Sequence, residues 1–185
     1  MEEQVLVKRF IDGEQSAFIE VYNMYFQDVY NFVAYSVGIT CCEDVTQEIF
    51  VKVYRKMKSF KGKSSIKSWV FNIARRSVYD HYRKNKKHLN LDDYSGKLMT
   101  NITPEDILEH KSELESTLKI LGTLKCEQRT VILLRRLHGF SIKETSKIMG
   151  VKESAVKTLL HRGMKNLENK SSADFCTNKG VINYE

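Results

Sequence analysis

Apolar residues recur at three- and four-residue steps between Ser141 and Leu167, with one break at Gly150. This spacing predicts two amphipathic helices. Ser141 and Glu144 match a capping box at the start of the first helix, and Gly150 suits the left-handed turn that follows it. The second helix presents a largely polar and basic set: Lys152, Glu153, Ser154, Lys157, Thr158, His161 and Arg162. The layout predicts a helix-turn-helix whose second helix enters the DNA major groove, and the plainer alternative is a helical hairpin of any all-α domain.

The N-terminal half carries two more helical patterns. Asp12 and Gln15 predict a cap before a long helix whose aromatic stripe is expected in the core and which ends at Gly38. Thr40 and Glu43 predict a capping box for a helix that runs to about Met57. The outer face of that helix is either a solvated surface or a partner surface, and it carries Asp44, Gln47, Glu48, Val51, Lys52 and Arg55.

A basic loop and a basic-aromatic helix follow at residues 60–84. The polar, Gly/Ser-containing stretch predicts the loop, and periodic apolar residues from Trp69 onward predict the helix. Aromatic rings among cations provide surfaces on which unpaired bases stack, at about 1–3 kcal/mol per base. Trp69 is equally compatible with a role as a core anchor. The side chains of interest are Lys61, Lys63, Ser64, Ser65, Lys67, Trp69, Asn72, Arg75, Arg76, Tyr79, Arg83 and Lys84, with the arginines and Lys84 expected on the exposed side.

The pattern as a whole predicts an all-α protein of two small helical domains joined by a flexible linker. The first domain covers residues 1–87, an aperiodic linker covers 88–103, and a four-helix domain with the helix-turn-helix covers 104–170. Pro104 suits the first position of a helix. A further helix is expected over about Glu127–Leu137 with Leu137 inward, and residues 171–185 show no helical period.

Composition and charge narrow the function. The chain has 185 residues, 42% of them apolar, and a net charge of +7. Residues 61–87 carry nine basic groups and one acid, and residues 125–170 carry eleven basic groups and four acids, whereas residues 1–60 have six basic and nine acidic groups. Two separated basic blocks predict contact with a polyanion at two places.

Several classes of protein are disfavoured by what the sequence lacks. No long apolar run or signal peptide is evident, so we expect a cytoplasmic protein. The four cysteines form no CxxC pair, and no metal site or cofactor is expected. Phosphate-binding glycine loops and hydrolase motifs are also missing, which argues against an independent enzyme.

Three segments, in this order, resemble the extracytoplasmic-function (ECF, group IV) sigma factors of the sigma-70 family. EDVTQEIFVKVYRK (Glu43–Lys56) is similar to the helix that binds core RNA polymerase. FKGKSSIKSWVFNIARRSVYDHYRK (Phe60–Lys84) is similar to the segment that melts the promoter and reads its minus-10 element. The segment Leu124–Leu167 is similar to the reader of the minus-35 element. Thr145-Ser146, Leu159, Met164 and Cys126 depart from the family pattern, which leaves the upstream sequence preference open.

The resemblance implies partners and roles for these residues. The outer face of the helix that ends near Met57 would meet the β′ clamp helices, and the chain would also contact the β flap. The loop Lys61–Ser68 would take a flipped base of the melted promoter, and the basic-aromatic helix would support strand separation. The second helix of the helix-turn-helix would face duplex DNA. The chain would bind core as a monomer and act in a stress or envelope response. Relatives are commonly inhibited by an anti-sigma factor, often anchored in the membrane.

Two other functions remain as alternatives. A stand-alone helix-turn-helix regulator would use residues 12–87 for sensing or dimerisation, but it leaves the Trp69 segment unexplained. A recombinase-type enzyme would need a nucleophile with clustered arginines. Arg75, Arg76 and Tyr79 are candidates, yet no catalytic scaffold supports them.

Overall fold

The computed structural model describes residues 2–85 and 117–178, which form helices joined by short loops, and no strand occurs among them. This confirms the all-α prediction. The predicted linker, the start of the helix at Pro104 and the last seven residues lie outside the described residues. The helices are α1 (Glu2–Ile11), α2 (Ser16–Val37), α3 (Cys42–Met57), α4 (Ile66–Asn85), α5 (117–122), α6 (Cys126–Ile132), α7 (Ile142–Met149) and α8 (Glu153–Asn178).

Helices α1 to α4 form a first bundle around an apolar core. Val29, Phe32, Ile49 and Phe71 have no exposed surface, and burying a side chain of this size stabilises the fold by about 1.5–3 kcal/mol. Helix α1 was not predicted. It adds buried residues to the same core, among them Phe10. The acidic and polar residues between its apolar positions had obscured that short amphipathic pattern.

Two predicted helix caps are wrong. Asp12 belongs to the end of α1, where its backbone N–H donates to the carbonyl of Lys8 at 2.9 Å. Gln15 caps α2 without a side-chain hydrogen bond. Helix α3 begins after Cys41, one residue later than the Thr40 box requires, and no side chain caps it. Acidic residues in its first turn still favour this end through the helix dipole.

The second bundle contains the predicted helix-turn-helix, α7 and α8. The capping box is confirmed: the Glu144 N–H donates to Ser141 Oγ at 3.1 Å, and the Ser141 N–H donates to Glu144 Oε2 at 2.8 Å. Gly150 adopts φ 68° and ψ 33°, the left-handed turn expected of it. Gly163 lets α8 approach α6 closely, since a Cβ there would lie 2.9 Å from Ile132 Cδ1.

Two expectations in this half are corrected. Helix α6 continues as a π-helical turn, Leu133–Leu137, in which the His138 N–H donates to the Leu133 carbonyl. The wider turn changes the helical phase, so Leu137 is 47% exposed rather than inward. Helix α8 continues to Asn178, so the residues described beyond 170 are helical instead of an aperiodic tail.

The two bundles pack against each other along a seam between α4 and the turn before α7. The ring of Phe71 lies 4.6 Å from that of His138 and 4.9 Å from that of Phe140. Buried Arg129 of α6 donates across the seam to the Ser36 carbonyl and, at 2.5 Å, to the Tyr82 hydroxyl. One apolar core therefore runs through both bundles.

Candidate functional site

The outer face of α3 is open to solvent, as its polar pattern predicted. Asp44, Gln47, Glu48, Val51 and Arg55 are exposed, and Lys52 is half-buried. Glu48 pairs with Lys52 at 2.7 Å, and Lys52 Nζ also donates to Ser77 Oγ at 2.9 Å. The pairing with Lys52 lowers the pKa of Glu48, so this carboxylate is charged at neutral pH. The six predicted partner-binding residues thus share one accessible surface.

The basic loop before α4 exposes Lys61 and Lys63, while Ser64 and Ser65 are half-buried. Ser65 Oγ accepts a hydrogen bond from the Ser68 N–H at 3.1 Å, which caps the start of α4. The ammonium groups of Lys61 and Lys63 are thus exposed beside the capped start of α4.

Trp69 lies beside that loop and is half-buried. Its ring packs 5.3 Å from the ring of Phe60. The structure therefore brings the only tryptophan next to the basic loop, as predicted, but gives it a packing partner as well. Both roles considered for Trp69 are compatible with this position.

Helix α4 is less exposed than its basic pattern suggested. Arg76, Arg83 and Lys84 are exposed, whereas Arg75 is half-buried, which corrects the expected placement of this arginine. Burial lowers the pKa of Arg75. Its guanidinium lies 5.2 Å from the centre of the Tyr79 ring, and burial, followed by the nearby Cys126 thiol, raises the pKa of Tyr79.

Part of the α4 face meets the second bundle. Asn72 Nδ2 donates to the carbonyls of Lys147 and Ile148, at 3.4 and 3.2 Å, at the end of α7. Lys67 pairs with Asp28 at 3.0 Å and lies over the Phe140 ring. Lys67, Asn72 and Arg75 are therefore engaged within the protein.

The start of α8 is exposed on its predicted outer face. This holds for Lys152, Glu153, Ser154, Lys157, Thr158, His161 and Arg162. Val156 is fully buried and fixes the rotation of the helix, and Thr158 Oγ1 donates back to the Ser154 carbonyl at 3.0 Å. An exposed polar and basic face on a helix anchored from behind is what contact with a major groove requires.

Among residues 2–85 and 117–178 no cluster of three metal-ligating side chains occurs, and no helix there is long and apolar enough to cross a membrane. Cys41, Cys42 and Cys126 are free thiols.

Sequence reasoning missed the seam residues Arg129 and His138. His138 is buried between the bundles, with Nδ1 3.9 Å from Asp28 Oδ1. A basic or imidazole side chain inside an otherwise apolar run is the only local signal of such a position, and it does not name the partner.

Comparison with known proteins places both bundles in one family. Residues 21–88 match the family model described as Sigma-70 region 2, and residues 114–167 match Sigma-70, region 4. The chain is 32% identical over 158 residues to the ECF RNA polymerase sigma factor SigX of Bacillus subtilis, covering 82% of this chain and 81% of that protein. It is 28% identical to the ECF RNA polymerase sigma-E factor of Escherichia coli, with 91% and 93% covered.

Solved structures share the fold. CnrH, in complex with the cytosolic domain of CnrY, superposes with a TM-score of 0.73 at 24% identity, covering 93% of this chain and 98% of CnrH. The sigma factor RpoE, in complex with the anti-sigma factor NepR from Bartonella quintana, gives 0.69 at 24% identity, with 85% and 98% covered. The resemblance inferred from the three sequence segments is thereby confirmed, and the chain belongs to the ECF RNA polymerase sigma factors, a family of transcription initiation factors.

Proposed function

We propose that this sigma factor divides its work among three surfaces. The α3 face (Asp44, Gln47, Glu48, Val51, Lys52 and Arg55) binds the β′ clamp helices of core RNA polymerase. The basic loop and α4 open the promoter and hold its minus-10 element. The start of α8 reads the minus-35 element, and the second bundle also contacts the β flap.

One observation carries this proposal: the polar α3 face and the basic α8 face are both exposed, and they lie on different bundles. Polymerase and duplex DNA can then be held at the same time without competing for one surface. We propose the matching domain assignment, with residues 1–87 for core binding and melting, 88–103 as linker and 104–170 for upstream recognition. A stand-alone regulator would not need the α3 face or the Trp69 segment.

The contacts between the two bundles suggest an order of events during assembly with polymerase and promoter. Asn72 and Lys67 contact the second bundle, so a melted strand cannot use them while the bundles are packed together. We therefore expect the bundles to separate when the factor assembles with polymerase on a promoter. The duplex-reading residues of α8 are free before that step.

Regulation and location follow the family. We propose control by an anti-sigma factor, which is supported by the anti-sigma complex of the structurally similar RpoE. The factor would act in the cytoplasm in a stress or envelope response, held at the membrane when its inhibitor is anchored there. It would contribute no catalysis of its own, since polymerase makes the RNA.

Assembly and promoter opening test the proposal together. The full chain is mixed with purified core polymerase and genomic DNA fragments, complex formation is followed by gel filtration, and unpaired thymines are mapped with permanganate. We expect co-elution with core and a reactive segment that neither component gives alone. Absence of both would refute the proposal.

A further inference from the structure

An open cleft separates the start of α1 from the basic loop before α4. Gly62, in that loop, adopts φ 67°, a left-handed conformation that glycine accepts without strain. A Cβ built there would lie 3.5 Å from Gln4 Nε2, and no other atom of the described residues, its chain neighbours apart, would come within 4 Å. The Gly62 backbone thus forms one wall of the cleft, and the carboxamide of Gln4 forms the other.

Helix α1 holds Gln4 in place at this cleft. Phe10 is buried, and its ring meets the Tyr54 ring edge-on at 5.4 Å. Arg9 pairs with Glu20 of α2 at 2.8 Å, which ties the end of α1 to the next helix. A side chain carried on a helix that is already packed can contact a ligand with little further ordering cost.

The groups around the cleft suit a single strand of DNA. Lys61 and Lys63 stand on either side of Gly62 in the chain and are exposed, so they can meet phosphates. Gln4 is exposed as well, and its carboxamide offers two N–H donors and an acceptor oxygen. Cations that hold the backbone beside a neutral group that can pair with a base edge are the two elements of sequence recognition.

The sequence around Gln4 favours a base edge over a phosphate. Glu2 and Glu3 precede it directly, and carboxylates repel phosphate groups. A neutral carboxamide with a donor next to an acceptor instead matches adenine, which presents a ring-nitrogen acceptor beside an amino donor.

We propose that Gln4 is a specificity-determining residue for the melted promoter strand, and that its carboxamide hydrogen-bonds an adenine edge in the cleft beside Gly62. The inference rests on the proposed function of the basic loop. It adds to the strand-reading surface a helix, α1, that has no role in that proposal, and it assigns one base position to one side chain.

Holoenzyme assembled from the full chain and purified core polymerase tests the role of Gln4. The probe is a pre-melted duplex made from a fragment that permanganate mapping shows to be opened, with each of the four bases placed in turn at every unpaired position. Competition binding gives the base preference at each position. We expect wild type to prefer adenine at one position, and Gln4→Ala to reduce that preference about tenfold while leaving the other positions unchanged.

Two further variants separate base recognition from support of the loop. Gln4→Glu replaces the amino donor with an acceptor, so the preference at the same position should move toward cytosine, whose amino group can donate to a carboxylate. Val5→Ala changes the next exposed residue of α1 and should leave every preference as in wild type. Gln4→Glu carries the test if Gln4→Ala melts early by circular dichroism.

The outcomes distinguish this inference from the wider proposal. Wild type without an adenine preference, an equal loss of binding for all four bases in the Gln4 variants, or variant preferences that match wild type would each overturn the role of Gln4. Promoter opening by wild type would stand in all three cases. If wild-type holoenzyme opens no fragment, the proposed function fails and the inference fails with it.

Discussion

At the scale of single residues, Trp69 and Arg162 test the proposed division between promoter opening and duplex recognition. Trp69 lies beside the basic loop, and its ring packs against that of Phe60. Arg162 lies on the exposed side of α8. The first position suits an unpaired base and the second suits a phosphate or a base edge of the duplex.

Trp69→Ala should keep closed-duplex binding by the holoenzyme but lose permanganate reactivity of the opened strand. Loss of a stacked base costs about 1–3 kcal/mol, enough to reduce the open fraction about tenfold. Trp69→Phe retains a ring and serves as the control. Equal loss of duplex binding and opening, together with a lower melting temperature, would show that Trp69 is only a core anchor.

Arg162→Ala should weaken binding to the upstream element about tenfold and lower the salt dependence of binding by one phosphate contact, if it meets the backbone. Mobility-shift titrations at several salt concentrations measure both quantities. Lys119→Ala removes an exposed charge on α5 and should have little effect. Unchanged binding of the Arg162 variant would mean that this arginine does not face DNA.

At the scale of helices, the sequence predicted those features that depend only on neighbouring residues. The Ser141–Glu144 box and the Gly150 turn depend on residues within a few positions of one another, and both were found as expected. The predicted Thr40 cap is wrong although its residue types suit a capping box, because α3 begins one residue later than that cap requires. The predicted burial of Leu137 is wrong because a π-helical turn shifts the helical phase. Such a turn leaves no signature in the apolar spacing.

Gly150→Ala should destabilise the second bundle by about 1–2 kcal/mol, since an alanine side chain disfavours the left-handed conformation. No atom lies within 4 Å of the added Cβ, so the cost is conformational and not steric. Thermal and urea unfolding of the full chain measure it, with Lys119→Ala as the exposed helical control. A change below a few tenths of a kcal/mol would contradict the assigned turn.

At the scale of the whole molecule, the seam controls which surfaces are available. Its residues come from distant parts of the chain: Ser36, Phe71, Arg129 and His138. The charge blocks predict two polyanion-binding regions, but no periodicity predicted that α4 would pack against α7. Such a contact depends on the three-dimensional packing of two units, which a single sequence does not encode in its local spacing.

The seam should weaken in acid. Burial lowers the pKa of His138 to about 4 from an ordinary value of 6.5, with Asp28 opposing and Lys67 reinforcing the shift. The neutral imidazole is the form that fits, so its stabilisation is complete above pH 6.5 and is lost as the pH falls toward 4. We expect a loss of about 2 kcal/mol between pH 7 and pH 5.

Urea unfolding across that pH range, with His138→Phe and His161→Gln, checks the prediction. The first variant keeps a ring beside Phe71 and removes the titration, so its pH dependence should be flatter than that of wild type. His161 is exposed, so the His161→Gln variant should unfold in urea like wild type. The same pH dependence of the free energy of unfolding in wild type and His138→Phe would show that His138 is not the source of the acid destabilisation.

The most direct measurement of the central claim is run-off transcription with purified core polymerase, with and without this protein, on a set of genomic fragments. We predict a discrete transcript that appears only when the protein is added and that falls about tenfold with Trp69→Ala at normal core binding. No promoter-specific transcript on any fragment, with no complex between this chain and core, would contradict the account.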